Sequence, residues 1–280
     1  MKTISLNDAN KMPILGYGVF QIEAKQTQKC VEDALSVGYR LIDTAAIYEN
    51  EEGVGAAIKA SNIKRNELFI TTKLWINNTN KENTKKAFMQ SLEKLKLDYI
   101  DLYLIHQPFN DIYAAWEVMC KLKDEGLIKS IGVSNFYSDK IIDFCFHNNI
   151  KPAINQIECH PFLPRTEEKE IMNNLGIAMQ SWASFAEGQN QIFENELLKN
   201  IAKKYNKSVA QVILRWLIQR EIAVIPKTLS KERMIENISI FDFNLDEEDM
   251  QIIKQISNNA FTICNHKDPK TINFLLNLKK

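Results

Sequence analysis

Short apolar runs alternate along the chain with longer stretches in which apolar residues recur every three or four positions. The short runs are typical of buried strands, and the longer stretches are typical of amphipathic helices. The runs predict strands at Leu41–Thr44, Leu68–Lys73, Ile100–His106, Ser130–Ser134, Ala153–Ile157, Ile177–Trp182, Ala223–Pro226 and Ile238–Phe241. Helices are predicted between them, for example at Thr27–Val37, Asn80–Leu95, Ile112–Asp124, Ser138–Asn148 and Ser208–Gln219.

This alternation predicts an α/β fold with parallel strands, and eight strand–helix units are the number that closes a (β/α)8 TIM barrel. An open, doubly wound sheet is the alternative. Ile4–Leu6 and Ile14–Val19, on either side of a polar turn, predict an N-terminal β-hairpin before the barrel. The apolar residues between His266 and Lys280 predict a C-terminal helical or loop segment that docks on it. Since no low-complexity linker interrupts the sequence, we expect residues 1–280 to form a single barrel domain.

The charge balance and the cysteines restrict the expected binding partners and the expected cellular location. The 280 residues include 35 basic and 35 acidic ones, and this neutrality argues against a nucleic-acid or anionic-membrane partner. No apolar stretch approaches the roughly 18 residues of a membrane-spanning helix, and the first 13 residues do not resemble a signal peptide. The five cysteines are scattered and odd in number, which favours reduced thiols and a cytoplasmic location.

Polar side chains stand at the ends of three successive predicted strands, where TIM barrels carry their active sites. Asp43 ends the first predicted strand and is followed by Tyr48 in the loop, Lys73 ends the second, and His106 ends the third. Singly, each has an ordinary explanation as a turn, solvated or hydrogen-bonded residue. Because successive strands are neighbours in a barrel, we expect the four side chains to converge.

These residue types fit proton donation to a carbonyl oxygen. Tyrosine has an ordinary pKa near 10, and a buried Lys73 ammonium beside Tyr48 is expected to favour the phenolate. A decrease of about two pKa units would correspond to about 2.7 kcal/mol. Asp43 could hold Lys73 in place, and His106 could orient the carbonyl oxygen. The hydride for such a reduction must come from elsewhere.

Several motifs in chain order resemble those of the aldo-keto reductase family. They are the run from Gly38 to Ala45 with Glu51 and Gly55, the run from Ile105 to Pro108, and the run from Ile225 to Thr228 with Arg233, Glu236 and Asn237. The chain resembles short-tailed microbial members of the family such as diketogluconate and methylglyoxal reductases. The resemblance implies that the protein is a monomer and that its catalytic residues are Asp43, Tyr48, Lys73 and His106. It also implies NADPH-dependent reduction of aldehydes or ketones, with Tyr48 as the general acid.

The resemblance also implies a set of cofactor and substrate contacts. Ser134, Asn135 and Gln156 would bind the nicotinamide carboxamide, and Trp182 would stack on the nicotinamide ring. Lys227, Thr228 and Arg233 would hold the adenosine 2′-phosphate, and Glu236 and Asn237 the adenine. Further cofactor contacts would come from Gly18, Val19, Asp43 and Phe185, and the substrate would contact Phe20, Tyr48, Trp75 and His106. Without the resemblance, Lys227–Asn237 would be interpreted as a solvated helix start capped by Ser230, and Trp182 as core packing.

Other hypotheses remain open at this point. A non-catalytic NADPH-binding regulatory subunit or redox sensor would keep the same barrel, and an unrelated metal-dependent barrel enzyme is a third possibility. Glu158, Cys159 and His160 are adjacent, but no His or Cys pair has usual zinc-ligand spacing, so we expect no metal site. Ser184 stands where the family usually has proline, and we expect it to loosen the cofactor loop. Phe20 and Gln107 stand at positions often held by larger aromatics, which leaves the substrate undefined.

Overall fold

The computed structural model describes residues 2–257 and 263–278, and within them eight parallel strands form one sheet surrounded by helices. The strands are β1 (Thr3–Ser5), β2 (Lys11–Pro13), β3 (Tyr17–Gly18), β4 (Leu41–Asp43), β5 (Phe69–Leu74), β6 (Ile100–Ile105), β7 (Ile128–Ser134), β8 (Ile154–Glu158), β9 (Ala178–Trp182) and β10 (Ile222–Val224). The helices are α1 (Ala24–Val37), α2 (Glu51–Ala60), α3 (Asn83–Leu95), α4 (Ile112–Asp124), α5 (Ser138–His147), α6 (Thr166–Leu175), α7 (Glu196–Tyr205), α8 (Val209–Gln219), α9 (Lys231–Ile238), α10 (Glu247–Gln255) and α11 (Pro269–Asn277).

The parallel sheet runs in chain order from β3 to β10 and closes on itself. Leu15, just before β3, pairs in parallel with Val224 of β10. The Gly16 amide donates to the Val224 carbonyl at 2.8 Å, and the Val224 amide donates to the Ile14 carbonyl at 2.9 Å. The TIM-barrel prediction is therefore confirmed, and the open doubly wound alternative is excluded.

Two of the strand predictions are wrong in detail. Ile238–Phe241 is not a strand, because α9 continues to Ile238 and the following residues form a loop whose Ile240 is buried in the core. The missing barrel strand comes from Ile14–Val19, which was assigned to the hairpin and instead supplies β3 and the closing seam. The hairpin itself is β1 paired antiparallel with β2. Because β3 is the first barrel strand, β10 is the eighth. Lys227, which was expected to follow the seventh strand, therefore follows the eighth.

The N-terminal hairpin covers the amino-terminal end of the barrel. Asn7 Nδ2 donates to the Pro152 carbonyl, just before β8, at 2.8 Å. Asn10 Nδ2 donates at 3.1 Å to the carbonyl of Lys129, near the start of β7. The hairpin thus lies opposite the carboxyl ends of the strands, which are left for the functional site.

The barrel wall is built as the apolar runs predict. Every residue of β6 is buried, as expected for a parallel strand covered on both faces. Helix α8 begins with a capping box in which the Ser208 hydroxyl accepts from the Gln211 amide at 3.2 Å and Gln211 Oε1 accepts from the Ser208 amide at 3.0 Å. At the closing seam a Cβ on Gly18 would lie 2.8 Å from the Ile225 carbonyl oxygen, so only glycine fits there.

The predicted C-terminal helix is present as α11, and its Leu275 is buried against Trp75 and Ile76. In residues 2–257 and 263–278, no helix is both long and apolar enough to cross a lipid bilayer.

Candidate active site

The four side chains expected to be catalytic lie together at the carboxyl end of the barrel. Asp43 is the last residue of β4, Lys73 lies in β5, and His106 directly follows β6. Tyr48 ends a short 3₁₀ turn after β4. These are the second, third and fourth barrel strands, one place later than predicted because β3 is the first.

A buried ion pair forms the base of this cluster. Lys73 Nζ lies 2.5 Å from Asp43 Oδ1, and both residues are almost completely buried. Lys73 Nζ also donates to the Thr44 carbonyl at 2.9 Å and lies 3.5 Å from Tyr48 Oη. The ammonium therefore makes its short hydrogen bonds to Asp43 and Thr44, and its contact with the phenol is longer.

Tyr48 is a neutral phenol in this arrangement. Burial and the neighbouring Asp43 carboxylate raise the pKa of Tyr48 well above its usual value of 10.0. The expected decrease is therefore wrong in direction, because Lys73 is already paired with Asp43 and the negative carboxylate opposes a phenolate. Burial also lowers the pKa of Lys73, although Asp43 opposes that change.

His106 completes the cluster as a neutral imidazole. Burial, followed by the Lys73 charge and then His266, lowers the pKa of His106 well below its usual 6.5. The His106 and Tyr48 ring centroids are 5.7 Å apart, and the Trp75 ring meets His106 edge-on at 5.1 Å. Among the described residues His106 Nδ1 is buried without a hydrogen-bond partner. A neutral imidazole has one N–H donor, which could bind a carbonyl oxygen beside Tyr48.

Gln156 connects Asp43 of this cluster to Gln180 of β9. Its Nε2 donates to Asp43 Oδ2 at 2.7 Å and to Gln180 Oε1 at 2.7 Å. Because a carboxylate only accepts hydrogen bonds, Asp43 determines which end of the Gln156 amide faces it. The Gln156 amide oxygen is then the end left to accept a hydrogen bond from a ligand.

Three of the expected nicotinamide contacts lie next to one another. Trp182 Nε1 donates to Asn135 Oδ1 at 2.9 Å, and Asn135 Nδ2 donates to the His106 carbonyl at 3.0 Å. The Ser134 hydroxyl donates to the Gln156 carbonyl at 2.8 Å. These bonds fix the half-buried Trp182 indole beside the polar ends of β7 and β8, so its ring does not serve only as core packing.

The segment after β9 has an unusual backbone. Ala183, Ala186, Glu187, Asn190 and Gln191 all have φ near +50°, a conformation that L-residues rarely adopt. Such strain is common at ligand-binding loops and at active sites.

Ser184, at the start of this loop, makes a hydrogen bond where proline was expected. It is buried, and its hydroxyl lies 2.8 Å from that of Ser181. Phe185 packs against Phe193 with ring centroids 5.7 Å apart.

The expected phosphate contacts form a second group beyond β10. Lys227 and Arg233 are exposed, and within the described residues neither side chain forms an ion pair or hydrogen bond. Ser230 caps α9 by accepting from the Arg233 amide at 3.2 Å. The Thr228 carbonyl is held by Tyr17 Oη at 2.5 Å, which ties this loop to β3. A helix start with two free cations suits a phosphate group.

Glu236 and Asn237 were expected to contact the adenine, but both side chains are partly or fully buried. The Glu236 carboxylate accepts a short hydrogen bond from the Ser208 hydroxyl, so it links α9 to α8. Asn237 is buried. Phe20 lies beside Tyr48, half exposed, with its ring 4.9 Å from that of Tyr48. Gly18 and Val19 precede it at the seam, and the Val19 amide donates to the Asp43 carbonyl at 3.0 Å.

Sequence reasoning missed two buried residues that position the site. Asn50 Oδ1 accepts from Thr44 Oγ1 at 2.8 Å, and its Nδ2 donates to the Val19 carbonyl at 2.9 Å, so it shapes the turn carrying Tyr48. Gln180 holds Gln156 from β9. Their polar character inside apolar surroundings was the available signal, but Val19 and Gln156 lie on segments whose contact with them is not visible in the sequence. In the described part of the chain, no group of three His, Cys, Asp or Glu residues could hold a metal ion.

Comparison with known proteins gives a consistent result. Residues 14–258 match the model of the aldo/keto reductase family. The chain is 46% identical over 257 residues to glyoxal reductase of Bacillus subtilis, covering 91% of this chain and 92% of the relative. It is 42% identical over 256 residues to methylglyoxal reductase DkgA of Escherichia coli, covering 90% and 92%. A Bombyx mori aldo-keto reductase solved in complex with NADP is 37% identical, with a TM-score of 0.89 and 94% of each chain covered.

The closed barrel and these relatives define the class of protein: it is an oxidoreductase built on an α/β barrel. The chain belongs to the aldo/keto reductase family, as its motifs indicated.

The pKa values of the cluster predict a broad pH range for the reductase activity. Burial keeps the pKa of Tyr48 well above its usual value of 10.0 and the pKa of His106 well below its usual value of 6.5. We therefore expect kcat/KM for carbonyl reduction to stay flat between these limits and to fall as pH rises through the pKa of Tyr48. Steady-state rates across this range test it. A decline with an apparent pKa below about 9 would show that Lys73 acidifies the phenol after all.

Proposed function

We propose that this protein reduces small aldehydes, ketones and dicarbonyls to alcohols with NADPH, and that Tyr48 is the general acid. The observation that carries the proposal is the cluster itself. A neutral phenol lies 3.5 Å from the ammonium of a buried ion pair, beside a neutral imidazole, at the active end of a TIM barrel. Carbonyl reduction needs one proton donor at the developing alkoxide, and this cluster supplies it.

The residues around the cluster fit NADPH, which would supply the hydride when bound. At the nicotinamide end, Gln156 Nε2 donates to Asp43, which orients the Gln156 amide oxygen, and the Trp182 indole donates to Asn135. At the phosphate end, Lys227 and Arg233 are exposed cations at a helix start. The NADP-bound Bombyx mori relative supports this choice of cofactor.

Each residue of the cluster has a separate task in the proposed reaction. The His106 ring N–H and the Tyr48 hydroxyl would hold the carbonyl oxygen of the substrate. As negative charge develops on that oxygen, Tyr48 would donate its proton to it. The resulting phenolate would then be stabilised by the nearby Lys73 ammonium, whose position is fixed by Asp43.

The surroundings of the cluster favour a compact substrate. Phe20 and Trp75 flank Tyr48 and His106 with aromatic rings at 4.9 Å and 5.1 Å. Among the similar curated proteins, one is named glyoxal reductase and several methylglyoxal reductase. We therefore propose small dicarbonyls as the first substrates to assay.

Replacing Tyr48 tests the proposed acid. Tyr48→Phe removes the proton donor and should lower kcat for methylglyoxal by about 10²–10⁴-fold, since that is the usual contribution of a general acid. NADPH binding, measured by fluorescence titration, should stay close to that of the wild type.

Tyr103→Phe is the matched control for this change. Tyr103 is buried in β6, and its hydroxyl has no hydrogen-bond partner among the described residues. Its loss should leave turnover unchanged. A Tyr48→Phe variant that keeps most of the wild-type rate would contradict the mechanism. A wild type that binds NADPH but reduces none of a panel of aldehydes would favour a regulatory subunit.

The preference for NADPH over NADH tests the phosphate contacts. Lys227→Met and Arg233→Met should each weaken NADPH binding by about 10- to 100-fold, because a charge-assisted hydrogen bond contributes about 1.5–3 kcal/mol. NADH binding should change little. Lys231→Met is the control, since Lys231 lies at the same helix start but pairs with Asp33 at 3.4 Å. Equal losses in all three variants would indicate a general effect of charge rather than direct contacts.

A further inference from the structure

A buried carboxylate outside the proposed catalytic cluster binds the C-terminal segment. Glu158 is the last residue of β8 and is completely buried. Its Oε1 accepts from His160 Nε2 at 3.0 Å and from the Ile263 amide at 3.2 Å, and its Oε2 accepts from the Cys264 amide at 3.3 Å. Glu158 thus connects the carboxyl end of a barrel strand with the backbone of a segment about a hundred residues later.

A second contact fixes the same segment from the end of β7. Tyr137 Oη lies 3.0 Å from His266 Nδ1, and the Arg165 guanidinium lies over the Tyr137 ring at 4.4 Å. His266 is buried and stacks on Phe109 with ring centroids 6.4 Å apart. The first residues of the segment are therefore held by polar groups that the proposed reaction does not use.

The far end of the segment reaches the catalytic cluster. Trp75 Nε1 donates to the Leu278 carbonyl at 3.3 Å, and Leu275 is buried against Trp75 and Ile76. The Trp75 ring in turn meets His106 at 5.1 Å. Cys264 and Phe109 pack on the same apolar cluster. Residues 263–278 therefore form one side of the site, next to the imidazole that would hold the carbonyl oxygen.

We propose that Glu158 is a positioning residue that fixes residues 263–278 as the wall for the part of a substrate lying beyond its carbonyl group. This inference rests on the proposed reductase function. A carboxylate can accept all three N–H groups at once and strengthens each bond by its charge, whereas a neutral side chain cannot do both. Glu158 would therefore govern the selectivity between long and short aldehydes, without affecting proton donation.

The test compares two substrates of different length in Glu158→Ala. 4-Nitrobenzaldehyde extends well beyond its carbonyl group, whereas glyoxal does not. We expect kcat/KM for 4-nitrobenzaldehyde to fall by about tenfold, mainly through KM, which corresponds to about 1.4 kcal/mol. The value for glyoxal should stay within about twofold, and the Kd for NADPH should not change. Glu158→Gln keeps one acceptor oxygen and should give an intermediate loss.

Two further variants make the result decisive. Asp139→Asn removes an exposed 3.9 Å contact with Lys267 of the same segment and should leave both substrates unaffected. Tyr137→Phe removes the hydroxyl that meets His266 while leaving Glu158 intact, and should shift selectivity in the same direction as Glu158→Ala. It therefore serves as the test if Glu158→Ala does not fold.

Equal losses for both substrates, or no loss for either, would overturn the positioning role. A wild type that reduces neither substrate would instead refute the proposed reductase function, so the two failures are distinguishable.

Discussion

The ion pair between Lys73 and Asp43 is the interaction on which the rest of the site depends. Both charges lie inside the barrel, where removing one partner of a buried pair typically costs about 3–5 kcal/mol. The pair can form only when β4 and β5 are adjacent, so the parallel register of the barrel and the position of the ammonium are determined together. Gln156 then binds the other oxygen of Asp43 from β8, and this bond orients an amide for the proposed cofactor. The same contacts stabilise the fold and position the side chains of the proposed active site.

In this arrangement, the charged groups are different from the group proposed to supply the proton. The charged groups, Lys73 and Asp43, are paired with each other. The groups proposed to touch the substrate, Tyr48 and His106, are neutral, because burial raises the pKa of Tyr48 and lowers the pKa of His106. In the proposed reaction, the neutral Tyr48 phenol would enter with its proton still bound. The ammonium 3.5 Å away becomes most effective only once the phenol has lost that proton. The site is thus better suited to the charge distribution after proton transfer than to the one before it.

Much of this could be predicted from the sequence, and the exceptions have physical reasons. Strands β4 to β10 coincide with apolar runs, and the four residues of the cluster were found because they follow such runs. The run Ile14–Val19 was recognised as extended but assigned to the hairpin, because its true partner, Val224, lies far along the chain. The pKa of Tyr48 was predicted in the wrong direction, because it depends on how Lys73 divides its hydrogen bonds between Asp43 and Tyr48. Glu158 was considered only as a metal ligand, because the Ile263 and Cys264 amides that it binds are distant in sequence, and Asn50 was missed since its partner Val19 belongs to another segment.

The seam between Leu15 and Val224 also has a consequence for how the protein is made. A ribosome releases the amino-terminal strand early, but its partner emerges only when most of the chain has been synthesised. Until then the edges of the growing sheet carry unpaired amide and carbonyl groups that can bind other chains. The nascent protein therefore passes through a long open stage, during which a molecular chaperone would be of most use to it.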